Sequence, residues 1–127
     1  MSGEKLQDIA RQVAEGLPGT DEGHPFVDKL GVWKVSGKVF LMVTDDPQER
    51  IITVKCEPDR AHHLRRHHEA ISPGRYLDKH HWISVGAGGG ITEELVEELV
   101  THSYDLVLEG VPRGRRPEGA ESEGRRR

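Results

Sequence analysis

Val32-Trp33-Lys34-Val35, then Ser36-Gly37, then Lys38-Val39-Phe40-Leu41-Met42-Val43-Thr44 decide the fold: two β-rich runs joined by two residues. Branched and aromatic side chains suit a pleated, half-buried surface, and Ser-Gly is a candidate for the tight turn of a two-residue hairpin. A polar turn, Asp45-Asp46-Pro47-Gln48-Glu49, follows, and RIITVKC (50–56) reads as another strand. The stretch from Phe26 to Cys56 is therefore expected to be an antiparallel meander.

On the N-terminal side, Leu6, Ile9, Ala10, Val13 and Leu17 recur at helical spacing, and Gly16, Pro18 and Gly19 supply a stop. This pattern predicts an amphipathic helix ending near residue 16, whose apolar stripe must cover the meander. On the C-terminal side, Pro58 suits a first helical position, and PDRAHHLRRHHEAI (58–71) has room for a short cationic helix before Ser72, Pro73 and Gly74 break it. GRYLDKHHWISVGA (74–87) holds two strand-like pieces around Asp78 and Lys79, ended by Gly86, Gly88, Gly89 and Gly90. Thr92 is a candidate N-cap, Glu93 and Glu94 favour the positive end of a helix dipole, and Leu95, Val96, Leu99, Val100, Ser103, Leu106 and Val107 form the buried face of a last helix running to about Leu108. Helix, three strands, helix, two strands, helix is the order of an α+β two-layer sandwich with an antiparallel sheet.

The chain has 127 residues, 34% of them hydrophobic, enough for one modest core. Residues 1–110 are expected to form that domain. Residues 111–127 are mostly Gly, Pro, Arg and Glu, and a disordered tail is expected there. Without residues 113–127 the body carries 12 Lys plus Arg against 19 Asp plus Glu, about −7, whereas RGRRPEGAESEGRRR carries about +3. A net-negative body attracts polyanions poorly, so nucleic-acid affinity would need a local patch or the tail. A lone cysteine, Cys56, excludes an internal disulfide and multi-cysteine metal or redox motifs. The N-terminus lacks the apolar region of a signal peptide, and no run of apolar residues is long enough to span a membrane, so a cytoplasmic location is expected.

Charge concentrates in RAHHLRRHHEAISPGRYLDKHHW (60–82), with five Arg or Lys, six of the eight His and two carboxylates. Arg60, Arg65, Arg66, Arg75 and Lys79, with His80 and His81, could line a phosphate-binding patch, and Trp82 or Tyr76 could stack on a base. Imidazoles gain charge in mild acid, so anion affinity is expected to rise there. His62, His63 and His67 could share a helix face, but two or three imidazoles beside Arg65 and Arg66 make a poor metal site, and none is expected. A core tryptophan and a solvated helix face are the plain readings of the same residues. Gly-Ala-Gly-Gly-Gly (86–90) fits no phosphate-loop pattern and reads as a flexible turn. His102, Ser103 and Asp105 are too close along one helix to act as a triad. Cys56 sits beside Lys55, which would lower its pKa, yet a cysteine at a strand end more often packs.

VWKVSGKVFLMV, RIITVKCEPDRAHHLR, ISPGRYLDKHHWISV and LVTHSYDLV follow one another at a spacing that resembles the MmcQ/YjbR family of small bacterial proteins, from about Phe26 to Leu108. The positions that match its recurrent motifs are Lys38, Lys55, Lys79, Trp82, Ser103 and Tyr104. The resemblance implies a CyaY-like, secretion-chaperone-like α+β fold and DNA binding through a double-wing arrangement, with no catalytic activity and no cofactor. His80, His81 and the charged tail depart from the family's pattern. The leading expectation is a non-enzymatic protein that binds DNA or another polyanion, with no membrane partner. The alternatives are an adaptor or chaperone-like module, and a small enzyme using Lys38, Lys55, Cys56 and Tyr104.

Overall fold

The computed structural model describes residues 1–23, 30–46, 48–74 and 77–120. Its elements are α1 (Gly3–Gly16), β1 (Thr20–Gly23), β2 (Leu30–Val35), β3 (Lys38–Asp46), β4 (Glu49–Lys55), α2 (Pro58–His67), β5 (Ile71–Pro73), β6 (Trp82–Val85), α3 (Glu93–Glu109) and a short 3-10 turn (Arg113–Arg115). The six strands form one antiparallel sheet in the order β1-β2-β3-β4-β6-β5. The α+β class stands as read, with three α-helices as expected.

Ser36 and Gly37 turn β2 into β3 with φ of 51° and 78°. Two successive positive φ values define the turn whose twist matches its flanking strands. Val35 pairs with Lys38 and Lys34 with Val39, and the register then slips so that Trp33 faces Leu41. Phe40 is the extra residue of this bulge.

The strand count differs from the sequence reading in one place and an element's position in another. Thr20-Asp21-Glu22-Gly23 forms β1, an edge strand with no apolar residue to announce it. The first strand after α2 is Ile71–Pro73 rather than a piece of the segment after Gly74. Its Pro73 is acceptable because β5 lies at the sheet edge, where one side needs no ladder donor.

α1 and α3 pack on each other and on β3 and β4, and α2 packs on β5. The core between layers is built from Leu6, Ile9, Ala10, Leu41, Val43, Ile52, Val54, Ile83, Val96, Leu99 and Val100. Ser2 and Thr92 cap α1 and α3 by accepting from the amides of Lys5 and Leu95, both at 3.1 Å. The opposite sheet face is not bare. Leu30, Val32 and Met42 are buried there with the half-buried Val39 and Leu77 packed against them, and Thr53 and Ser84 share a buried hydroxyl pair at 2.8 Å.

The packed body extends past residue 110. Val111 and Ala120 are 3% exposed, and Ala120 belongs to the main core cluster. A Cβ added to Gly19 would lie 2.3 Å from the Pro117 ring, so residues 117–120 close tightly on the turn after α1. The expected tail is thus corrected over residues 111–120: two small apolar side chains and a proline suffice to seat so polar a segment. Residues 121–127 lie outside the described residues.

Candidate functional site

Of the six family-motif side chains, Ser103 and Tyr104 are buried, Lys55 and Trp82 are half-buried, and Lys38 and Lys79 are exposed. At the end of the β3–β4 ladder, the last paired residues are Leu41 and Val54. The next rung is supplied by α3, because the Ser103 hydroxyl donates to the carbonyl of Phe40 at 2.6 Å and accepts from the amide of Lys55 at 2.8 Å. Ser103 is fully buried, so without its hydroxyl two backbone groups would lack a partner. Tyr104, next on α3, sets its ring edge-on to Phe40 at 5.3 Å and donates its hydroxyl to the carbonyl of Pro18. Lys38 donates to the carbonyl of Gly110 at 3.1 Å, placing a cation at the C-terminal end of the α3 dipole. Trp82 is half-buried opposite Lys55, and its backbone lies against Gly74, where a Cβ would come within 2.5 Å of the Trp82 Cβ.

α1 makes a second insertion of the same kind, which the sequence reading missed. Gln7 is fully buried, and its amide donates to the carbonyls of Thr44 and, at 3.1 Å, Ile51, which face each other across β3 and β4. Its place beside Leu6, one turn before Ala10 and Arg11, was the available signal: a glutamine bordering an apolar stripe.

The cationic segment divides around α2. Its buried residues are Ala61 and Leu64. On one flank Arg65 donates to the carbonyl of Lys79 at 3.3 Å, drawing the helix to the β5–β6 connection. Lys79, His80 and His81 are all exposed there, and Arg66 is exposed on α2. Asp78 organises this corner. It accepts from the His80 amide at 2.9 Å and from Nδ1 of His81 at 2.6 Å, and these two bonds hold its pKa below the ordinary aspartate value. The His81 carbonyl accepts from the Cys56 amide at 2.8 Å, tying the corner to the start of α2. On the other flank Arg60 pairs with Glu98 of α3, so the structure does not leave it free beside Arg65. Arg75 and Tyr76 lie outside the described residues.

His63 and His67 stack on this second flank at 4.1 Å, with His67 donating to the His63 carbonyl. Among the described residues no group of three His, Cys, Asp or Glu could hold a metal ion. His102 reaches from α3 to Glu57 at 3.1 Å.

Three of the residues considered for catalysis, Cys56, Tyr104 and Lys38, are buried or bonded to the backbone of other segments. Cys56 is buried in the core, and desolvation raises its pKa, with Arg60 offsetting part of the rise. The expected lowering by Lys55 is therefore replaced by the effect of burial. The Tyr104 hydroxyl donates to the Pro18 carbonyl, and one donor of the Lys38 ammonium goes to the Gly110 carbonyl. The glycines before α3 also have a packing role: a Cβ on Gly88 would meet Ala70 Cβ at 2.8 Å, and one on Gly90 would meet the His68 ring at 2.9 Å.

The fold and these positions define a small α+β domain whose characteristic polar residues lie at the seam between sheet and helices. The YjbR family profile matches residues 15–106, and the chain belongs to that family. It is 31% identical over 111 residues to the uncharacterized protein YbdF of Escherichia coli O157:H7, covering 87% of this chain and 91% of that one. It is 30% identical over 105 residues to the uncharacterized protein YjbR of Escherichia coli K12, covering 83% and 89%. A crystal structure of the Deinococcus radiodurans protein DR2400 superposes with a TM-score of 0.78 at 32% identity, covering 85% of this chain and 83% of that one. A Pseudomonas syringae protein shares the fold, with a TM-score of 0.66 at 23% identity and coverage of 84% and 98%. No helix among the described residues is long and apolar enough to cross a membrane.

Proposed function

We propose that this protein is a non-enzymatic binder of nucleic acid that contacts phosphate through the corner formed by α2 and the β5–β6 connection. The observation that carries the proposal is the bond from Arg65 to the Lys79 carbonyl, which brings the half-buried Arg65 to the loop that exposes Lys79, His80 and His81, with Arg66 exposed on the same helix. The nearby carboxylate, Asp78, is already engaged by His80 and His81, so it opposes an incoming phosphate less than a free one would. Arg60 contributes little because Glu98 holds it. A patch of about three cations on an acidic body supports modest, sequence-independent affinity. A docking module for proteins would be expected to expose a broad apolar area, and among the described residues Met1 is the one large apolar side chain that is exposed.

Fluorescence anisotropy with duplex and single-stranded oligonucleotides tests the proposal. Binding is expected at low micromolar protein near ~50 mM salt, with log affinity falling by about 0.9 per phosphate neutralised, a total slope near 3. The double substitution R65E/K79E should abolish it. No binding of either strand form at low salt, or unchanged binding by the double variant, would overturn the proposal.

A further inference from the structure

A second cationic place lies away from that corner, where the β2–β3 hairpin meets the chain leaving α3. Ser36, Lys38, Gly110, Val111, Pro112 and Arg115 line an open cavity of about 370 Å³. Two of these residues are cations and none is a carboxylate. The walls are fixed by several bonds: the Ser36 hydroxyl donates to the Arg115 carbonyl at 3.1 Å, and Nε of Arg116 donates to the Val111 carbonyl at 2.9 Å. The Arg115 amide closes the 3-10 turn on the Pro112 carbonyl at 2.9 Å. The cavity is thus held by contacts between segments about 70 residues apart or more, as the separations of 72 and 79 in its two cross-links show.

Donor capacity remains in it. An ammonium has three donors, and Lys38 spends one on Gly110. A guanidinium has five, and among the described residues none is seen to pair with that of Arg115. Two cations in one lining, one a planar fork and one a point charge, match a doubly charged tetrahedral anion better than a single carboxylate. We propose that this cavity is a binding site for a phosphate group, held between Lys38 and Arg115. It stands apart from the nucleic-acid proposal, since it uses neither α2 nor the β5–β6 connection.

The phosphate could be free or the end of a nucleotide chain, and the test separates these. Backbone amide shifts are followed by NMR while inorganic phosphate is added, against sodium chloride at matched ionic strength. Saturable shifts confined to 36–38 and 110–115 are expected, and R115Q should weaken binding about tenfold, the loss of a charge-assisted contact. R115Q is the decisive variant because it removes a side chain the fold does not use. K38R should retain binding, and R65E/K79E should leave it unchanged. A preference for a 5′-phosphorylated over a 5′-hydroxyl oligonucleotide at these same amides would assign the group to a strand end, and equal behaviour to a free phosphate or small ester. Shifts that chloride reproduces, or that survive R115Q at full affinity, would overturn the proposal.

Discussion

The seam between β3 and β4 and the corner between α2 and the β5–β6 connection both carry polar side chains, but they handle them in opposite ways. At the seam, Ser103 and Gln7 are fully buried and each satisfies two backbone groups of neighbouring strands. At the corner, Lys79, His80 and His81 stand in solvent and their bonds are to one another's loop. The difference separates residues that hold this fold from those left free to meet a ligand. Four of the positions that carried the family resemblance, Lys38, Lys55, Ser103 and Tyr104, contribute side-chain or backbone groups to the α3 attachment, which gives these motif positions a structural role.

The contrast breaks most directly at Ser103. Removing its hydroxyl in S103A leaves the Phe40 carbonyl and the Lys55 amide without a partner, so urea unfolding should show a loss of about 2–4 kcal/mol. A loss under about 1 kcal/mol would mean the seam closes on itself and the hydroxyl is dispensable. Q7L keeps volume near α1 but removes the donors to Thr44 and Ile51, and should cost about 2–3 kcal/mol in the same assay. Y104F deletes one hydrogen bond to Pro18 while keeping the ring against Phe40, and about 1 kcal/mol is expected. At the corner, R65Q should cost less than about 1 kcal/mol, because it removes one long hydrogen bond from a half-buried side chain to the Lys79 carbonyl.

The smallest effect is that of Asp78. Its folded pKa lies below the usual 3.8, so its contribution to stability is present above the ordinary carboxylate range and is lost as pH falls through the folded value. An NMR titration of its carboxyl carbon should give a midpoint below 3.8, and H81A should move that midpoint upward. A midpoint unmoved by H81A would show that the His80 amide alone sets it.

Much of this architecture was legible in the chain because apolar periodicity reports which face is buried. The meander, the Ser36-Gly37 turn, the Thr92 cap and the extent of α3 follow from local rules that the tertiary structure does not override. β1 was hidden because Thr20–Gly23 is recruited by pairing with β2 rather than by its own side chains. Ile71–Pro73 was hidden because its three residues follow α2 almost directly and end in a proline. For the candidate site, the sequence could concentrate cations between 60 and 82 but could not say which would be claimed by acids of another helix. Glu98 is 38 residues from Arg60, and only the tertiary placement of α3 decides that pair. The Lys38 and Arg115 cavity was illegible for the same reason, since nothing local to RGR foretells its return to the hairpin.

That return also bears on how the chain matures. Ala120 seals the core near Pro18 and Gly19, so a growing polypeptide cannot finish its interior until its one-hundred-and-twentieth residue is free of the ribosomal tunnel. The N-terminal helix and hairpin, made earlier, gain this contact only once the segment after α3 has followed them.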